Sequence, residues 1–213
     1  MTADAPPAPR LALLDVDGTL TTVRSIWQYL LEHHGRWAGE GERNLHRFQS
    51  GELTYQEFCD LDAQLLAGMS YAGLCEIAAT VPLRPGVTEL FERLREREYR
   101  IVLISTGLRV LTRRFEQEFR VDWCVANDLA TVDGLCTGVA LIEVDEHEKG
   151  PHAKLARERF GAAHVVAIGD SAGDLPMFGE ADLSIAVGCA TPAVLAAVDV
   201  HLDDDLTAAC RWL

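Results

Sequence analysis

Four short apolar runs alternate with amphipathic segments along most of the chain. They fall at residues 11–14, 101–104, 165–168 and 183–187, and each consists mainly of consecutive Val, Ile, Leu or Ala. Continuous apolar runs of this length are typical of strands that are buried on both faces, as in a parallel sheet. Strands that alternate with helices predict an α/β fold with a doubly wound, Rossmann-like parallel sheet.

Between the runs, apolar residues recur at helical spacing. Two such stripes are Val87, Leu90, Phe91 and Leu94, and then Leu108, Leu111, Phe115 and Phe119. The i, i+3, i+4, i+7 spacing predicts amphipathic helices that pack on the sheet. Pro151 suits the first turn of a further helix, which we expect to end near Phe160. An Asp-Gly pair inside TVDGLCTGV (131–139) predicts a β-hairpin.

Residues 22–84 break the alternation, because they hold apolar residues at helical spacing and no clear strand. Two prolines and a glycine in PLRPG (82–86) then indicate a boundary. We therefore expect a helical cap at 22–84, a sheet domain formed by 11–21 and 85–213, and a flexible tail at 1–10.

Charge and composition narrow the classes of function. The net charge is −14, from 19 Lys and Arg against 33 Asp and Glu, which disfavours nucleic-acid binding. No apolar run approaches the roughly 20 residues of a membrane span, and we expect a cytoplasmic protein that does not bind membranes. The six cysteines are scattered without a C-x-x-C pair, which favours reduced thiols over a disulfide scaffold or a zinc site.

Residues with reactive or charged side chains follow the predicted strands. In open α/β sheets, ligands bind at the carboxyl ends of the strands, so these residues are expected to converge. The candidates are Asp15, Asp17, Ser105, Thr106, Gly107, Lys149, Asp170 and Asp174.

Three acids in one cleft imply a hard divalent cation, and Mg²⁺ prefers such oxygen ligands together with substrate phosphate. A calcium loop is the rival, but Leu20 occupies the position where an EF-hand needs glycine. Beside Mg²⁺ and phosphate, Asp15 can act as a nucleophile, and Asp17 can protonate the leaving alcohol. Ser105 and Lys149 can bind the phosphoryl oxygens, although Lys154 is a rival for the lysine role.

The motifs DVDGT (15–19), LISTG (103–107), KG (149–150) and GDSAGD (169–174) resemble, in order, the four motifs of the haloacid dehalogenase superfamily. The cap is similar to that of the phosphoserine-phosphatase-like branch. The resemblance implies Asp15 as nucleophile, Asp17 as acid/base and metal ligand through its carbonyl, and Asp170 as metal ligand beside Asp174. It also implies phosphate binding by Ser105, Thr106 and Lys149. Gly173 departs from the asparagine common in this branch.

The cap departs from this branch at two charged positions. The resemblance implies a glutamate for the substrate ammonium and an arginine for its carboxylate. Alignment by the apolar pattern places Arg24 and Asp62 there, with Tyr55 at an aromatic position. Reversed charges predict that phosphoserine is not the main substrate and favour a sugar or amino-sugar phosphate. The alternative is that Arg24 and Asp62 only pair with each other.

The leading hypothesis is therefore a Mg²⁺-dependent phosphomonoesterase that hydrolyses a small phosphorylated metabolite through an aspartyl-phosphate. Three alternatives stay open: a phosphoserine phosphatase, a phosphotransferase to an alcohol, and a non-catalytic metabolite-binding protein. Residues 15, 17, 105, 149 and 170 are all present, which weighs against the last of these. The sequence does not predict an oligomeric state.

Overall fold

The computed structural model describes residues 8–188 and 190–213 of the chain. Most of the predicted tail at 1–10 lies outside the described residues. Arg10, which we assigned to the tail, is instead the first residue of a strand, and its guanidinium lies 5.7 Å from the ring centre of Tyr99.

A single mixed sheet forms the centre of the described part of the chain. Its strands are β1 (Arg10–Leu14), β2 (Tyr99–Leu108), β3 (Trp123–Val132), β4 (Leu135–Leu141), β5 (His164–Gly169), β6 (Leu183–Val187) and β7 (Val200–Leu202). The spatial order is β4-β3-β2-β1-β5-β6-β7, and every neighbouring pair is parallel except the β3–β4 pair. The predicted α/β fold with a parallel sheet is confirmed.

Helices flank the sheet, and five of them come in succession between β1 and β2. They are α1 (Ile26–His33), α2 (Glu42–Gln49), α3 (Tyr55–Leu65), α4 (Tyr71–Ala78), α5 (Val87–Glu96), α6 (Arg109–Phe119), α7 (Lys149–Phe160), α8 (Leu175–Phe178) and α9 (Pro192–Leu195). Short 3₁₀ turns occupy Ala172–Asp174 and Leu206–Arg211. The helical stripes predicted after residues 87 and 108 correspond to α5 and α6.

The first strand shows why apolar residues occupy consecutive positions. Ala12 and Leu14 belong to the hydrophobic core on one face of the sheet, whereas Leu11 and Leu13 belong to the core on the other. Successive side chains in a strand point to opposite faces, so a central strand needs apolar residues throughout. All four side chains are completely buried, which fixes the end of β1 and the residues that follow it.

The predicted hairpin forms at the Asp-Gly pair. Asp133 and Gly134 have φ angles of 50° and 78°, and they connect β3 to the antiparallel β4. Positive φ at both turn residues gives the twist that a two-residue hairpin needs, and glycine adopts it at no steric cost. β3 begins eight residues before the predicted hairpin segment at 131, so most of this strand was missed.

Helices α1 to α4 lie within the segment 22–84. Thr54 begins α3 with a capping box, because its hydroxyl accepts from the Glu57 backbone N–H while the Glu57 carboxylate accepts from the Thr54 backbone N–H. Among the helices that the structure describes, none is long and apolar enough to cross a membrane.

Candidate active site

A buried lysine joins two of the predicted acids at the carboxyl end of β1. The Lys149 Nζ lies 2.5 Å from Asp15 Oδ1 and 2.6 Å from Asp174 Oδ1. All three side chains are nearly inaccessible to solvent. Burial lowers the pKa of an isolated lysine, but the two carboxylates more than offset this and raise the pKa of Lys149 above its ordinary value. Lys149 is therefore charged, whereas its rival Lys154 is exposed on α7.

The Asp15 carboxylate is held from both sides. Its Oδ2 accepts a 2.7 Å hydrogen bond from the Thr19 hydroxyl, while Lys149 holds Oδ1. Burial, opposed by Lys149 and reinforced by the charge of Asp174, raises the pKa of Asp15. These contacts orient a carboxylate that stands at the end of a fully buried strand.

The second acid of the first motif faces a different group of atoms. Asp17 Oδ1 accepts a 2.5 Å hydrogen bond from the Ile26 backbone N–H, at the start of α1, and Oδ2 accepts from the Ser105 hydroxyl at 3.3 Å. Burial and the nearby charge of Asp15 raise the pKa of Asp17 to about 7. A carboxyl group with this pKa can hold or release a proton near neutral pH.

Three carboxylates converge at one point. Asp15, Asp170 and Asp174 each offer an oxygen, and these oxygens lie within 4.8 Å of one another. Burial and the charges of Asp15 and Asp174 raise the pKa of Asp170. Hard oxygen donors grouped in this way fit Mg²⁺. The Asp17 carboxylate is not part of this group, and the Asp174 Oδ2 already accepts from the backbone N–H of both Asp170 and Ser171.

Two glycines allow the acidic loops to approach each other. A Cβ atom at Gly18, which has a φ of +78°, would collide with the Asp170 carboxylate, and one at Gly107 would collide with that of Asp17. Side chains at these positions would fill the space between the strand ends. The carboxyl ends of β1, β2 and β5 therefore surround one small site.

The carboxyl end of β2 carries Ser105, Thr106 and Gly107. Ser105 is fully buried, and its hydroxyl accepts from the Gly107 backbone N–H at 2.9 Å. The Thr106 carbonyl accepts from three side chains: the Trp27 indole at 3.4 Å, the Tyr55 hydroxyl at 3.1 Å and the Asn127 amide at 3.0 Å. Trp27 and Tyr55 belong to α1 and α3, so this carbonyl attaches those helices to the sheet.

Sequence analysis missed Asn127, which connects several parts of the site. The Asn127 Nδ2 donates to Thr106 O, Tyr55 Oη and Val144 O, and its Oδ1 accepts from the backbone N–H of Glu143 and Val144. The side chain is completely buried in the middle of β3. A polar residue in a buried strand was the available indication, but the strand itself was not predicted.

Arg84 was also missed, because the prolines beside it indicated only a boundary. Its Nε donates to the Thr19 carbonyl at 2.9 Å, and the guanidinium also contacts the Gly18 carbonyl and the Asp204 carboxylate. Arg84 is 7% exposed. The buried guanidinium therefore fixes the loop that follows Asp15.

The cap charges do not pair with each other. Asp62 is buried on α3, where its Oδ1 accepts a 2.9 Å hydrogen bond from the Asn44 amide of α2. Arg24 is exposed, and neither oxygen of Asp62 contacts it, because Oδ1 is held by Asn44 and Oδ2 has no partner among the described residues. The alternative that Arg24 and Asp62 form an ion pair is therefore wrong. Tyr55 contacts the Thr106 carbonyl at the carboxyl end of β2.

Comparison with known proteins agrees with this geometry. The chain matches the haloacid dehalogenase-like hydrolase family over residues 12–179. It is 30% identical over 202 residues to a phosphoserine phosphatase of Lactococcus lactis, covering 92% of this chain and 91% of that protein. It is 31% identical to a phosphoserine phosphatase of a Polaromonas species, covering 83% of this chain and 78% of that one.

Solved structures are similar over nearly the whole length. A phospho-aspartyl intermediate analogue of phosphoserine phosphatase superposes with a TM-score of 0.82 at 24% identity, covering 97% of this chain and 99% of the other. A phosphoserine phosphatase from T. onnurineus superposes with a TM-score of 0.75 at 27% identity and full coverage of both chains. The four motifs, their arrangement at the strand ends and these matches show that the chain belongs to the haloacid dehalogenase-like hydrolase family and is a phosphatase of that family.

Proposed function

We propose that the protein is a Mg²⁺-dependent phosphomonoesterase that uses Asp15 as its nucleophile and acts on phosphoserine or a closely related ester. The observation that carries this proposal is the Lys149 ammonium between Asp15 and Asp174, with Asp170 close by. A buried cation beside a cluster of acids is the arrangement that a transferring phosphoryl group requires.

In the first half-reaction, a carboxylate oxygen of Asp15 attacks phosphorus, and the bond from phosphorus to the ester oxygen breaks. The proton on Asp17 passes to that oxygen, so an alcohol leaves rather than an alkoxide. Lys149, Ser105 and the backbone amides after Ser105 bind the phosphoryl oxygens, and the Ile26 N–H holds Asp17 in place.

In the second half-reaction, Asp17 accepts a proton from water as the water oxygen attacks phosphorus. The bond between phosphorus and Asp15 then breaks, which releases inorganic phosphate and restores the carboxylate. An Asp17 pKa of about 7 allows it to serve as acid in one step and base in the next.

The residues present fit Mg²⁺. Asp15 and Asp170 supply carboxylate oxygens, and the resemblance implies the carbonyl of Asp17, while Asp174 lies beside them and orients Lys149. When bound, the ion would offset the negative charge of the phosphate and the acids. We also propose that residues 22–84 act as a cap on the core formed by 11–21 and 85–213, since α1 and α3 contact the Thr106 carbonyl.

The choice of phosphoserine rests on the relatives, which are named phosphoserine phosphatases. No comparison supports the sugar or amino-sugar phosphate expected from the sequence. Transfer to an alcohol acceptor instead of water stays an alternative, because both reactions share the first step.

The test is release of inorganic phosphate from phosphoserine with Mg²⁺, measured alongside the Asp15→Asn variant. We expect turnover by the native protein, none by the variant, and an unchanged circular dichroism spectrum. Addition of an alcohol acceptor, with analysis of its phosphorylated product, separates transfer from hydrolysis. A native protein that hydrolyses no phosphomonoester would overturn the proposal.

A further inference from the structure

Arg84 is a buried cation that the reaction described above does not use. Its side chain is 7% exposed, and taking a charged group out of water is costly unless hydrogen bonds fill its donors. Nε donates to the Thr19 carbonyl at 2.9 Å, and the terminal nitrogens contact the Gly18 carbonyl and the Asp204 carboxylate. The guanidinium thus holds two consecutive carbonyls of the loop that follows β1.

This loop contacts two of the acids at the strand ends. The Thr19 hydroxyl donates to Asp15 Oδ2 at 2.7 Å, so Thr19 presents its carbonyl to Arg84 and its hydroxyl to the nucleophile. A Cβ atom at Gly18 would lie 2.4 Å from Asp170 Oδ2, so the backbone there packs directly against that carboxylate. A shift of this loop would therefore displace the immediate neighbours of both acids.

The guanidinium is itself held in place before any substrate binds. The Arg84 backbone N–H donates to the Leu20 carbonyl at 2.9 Å. Gly188, directly after β6, lies against the guanidinium, since a Cβ atom there would be 3.2 Å from Nη2. The Asp204 carboxylate is 86% exposed, and an ion pair with so exposed a partner contributes little to stability. The buried contacts of Arg84 are therefore those with the loop after β1.

Arg84 and Lys149 reach the nucleophile in different ways. The Lys149 ammonium contacts Asp15 directly, and its charge lowers the pKa of that carboxyl against the effect of burial. Arg84 donates to uncharged carbonyls and reaches Asp15 through the Thr19 hydroxyl. Lys149 thus supplies charge at the site, whereas Arg84 determines where the partner of Asp15 lies.

We propose that Arg84 is a positioning residue for the nucleophile, because it holds the loop whose Thr19 hydroxyl keeps Asp15 oriented for attack. The proposal rests on the proposed function, in which Asp15 attacks phosphorus. Misplacement of a reacting group by about 1 Å can cost roughly a hundredfold in rate. Since Arg84 acts through Thr19, its loss should change the rate of reaction more than the binding of substrate.

The first experiment measures kcat and KM for Arg84→Ala with p-nitrophenyl phosphate and Mg²⁺. We expect kcat to fall roughly tenfold to a hundredfold and KM to change by less than about threefold. Arg95→Ala is a matched control, because Arg95 is also a partly buried arginine and pairs with Asp122, just before β3 and away from the site. Its kcat should stay within about twofold of the native value, and circular dichroism verifies that each variant is folded.

A double-mutant cycle separates positioning from a general effect on the fold. Thr19→Val removes the hydroxyl that holds Asp15 and keeps the shape of the side chain. If Arg84 acts through this hydroxyl, Arg84→Ala should lower kcat by less than about threefold in the Thr19→Val background. A merely structural role predicts the same loss in both backgrounds. If Arg84→Ala does not fold, Arg84→Lys replaces it in the cycle, because one ammonium cannot hold both carbonyls in the geometry of the guanidinium.

Three outcomes would overturn the proposal while the proposed function stands. The first is a folded Arg84 variant with the kcat of the native protein or with a change in KM alone. The second is an equal loss of kcat with and without the Thr19 hydroxyl, and the third is an Arg95→Ala variant that loses as much as Arg84→Ala. A native protein that does not hydrolyse even p-nitrophenyl phosphate would overturn the proposed function and this proposal with it.

Discussion

The two acidic residues Asp15 and Asp62 are both buried, but their surroundings differ. Asp15, in the core, has both carboxylate oxygens engaged, by Lys149 and by Thr19. Asp62, on the cap helix α3, has one oxygen engaged by Asn44 and one without a partner among the described residues. The core site is thus nearly complete within the protein, whereas the cap site lacks a donor.

This difference separates two tasks. A nucleophile must be held in one orientation before the substrate arrives, because misplacement by an ångström costs much of the rate. Asp62 is not part of the group of acids at the strand ends, and its carboxylate instead holds the Asn44 amide of α2. We therefore expect substitutions in the core site to affect catalysis and substitutions of Asp62 to affect mainly the stability of the folded protein.

The largest effect is expected for Asp15→Asn. An amide cannot attack phosphorus, so kcat should fall by roughly four orders of magnitude or more on every ester, as for other covalent nucleophiles. Phosphate release measured on p-nitrophenyl phosphate and phosphoserine checks this. A residual activity of Asp15→Asn that depends on the leaving group would contradict the expected equal loss on every ester.

Metal removal comes next. A chelator should abolish turnover of both p-nitrophenyl phosphate and phosphoserine, and added Mg²⁺ should restore it, because the clustered acids need a cation to accept a phosphate dianion. Asp170→Ala should require more Mg²⁺ for half-maximal rate. Full rates in excess chelator would show that the acidic group has another purpose.

Asn127 offers a sharper test of how the core and the cap are joined. Asn127→Asp removes three donated hydrogen bonds, to Thr106, Tyr55 and Val144, and we expect kcat to fall roughly tenfold to a hundredfold. Tyr55→Phe removes only the hydroxyl that contacts Thr106, and its effect should be smaller. Thermal unfolding of both variants shows whether the loss reflects positioning or instability. A well-folded Asn127→Asp variant with the kcat of the native protein would contradict a positioning role for Asn127.

The smallest effect concerns stability and pH. Burial raises the pKa of Asp62 from its ordinary value of 3.8 to about 6, so the folded protein holds this proton more tightly than the unfolded chain. This tighter proton binding stabilises the folded protein at low pH, and the stabilisation is lost as the pH rises through the folded-state pKa of about 6. Asp62→Asn has no such proton, so its free energy of unfolding should not show this loss. Relative to the native protein, the free energy of unfolding of the variant should therefore rise by on the order of 2 kcal/mol from pH 4 to pH 8. Urea unfolding of both proteins at pH 4 and pH 8 measures these free energies. The same difference between variant and native protein at both pH values would contradict the prediction.

The contrast between core and cap also marks what the sequence could predict. Consecutive apolar residues and the acids that follow them indicated β1 and the site at its end, because burial on both faces leaves a clear pattern. Asn127 escaped notice, since a polar residue within WCVANDLATV interrupts that pattern and its five hydrogen bonds come from distant segments. Arg84 was hidden for a similar reason, because its partners follow β1 and lie near the C-terminus.

In the cap, the alignment showed which positions carry a charge but not which groups those charged side chains contact. Arg24 and Asp62 looked equally able to pair with each other or to face a substrate. Only the packing of α2 against α3 shows that Asn44 occupies one oxygen of Asp62. Contacts between helices that are distant in sequence depend on tertiary packing, which spacing along one helix does not report.

The central claim is that Asp15 becomes phosphorylated during turnover. The most direct measurement is mass spectrometry of peptides from enzyme quenched in acid while it hydrolyses phosphoserine in the presence of Mg²⁺. The account predicts one phosphoryl group on the peptide that contains Asp15, and none on the same peptide from Asp15→Asn. Sustained turnover with no phosphorylated peptide, or a phosphoryl group on another residue, would contradict it.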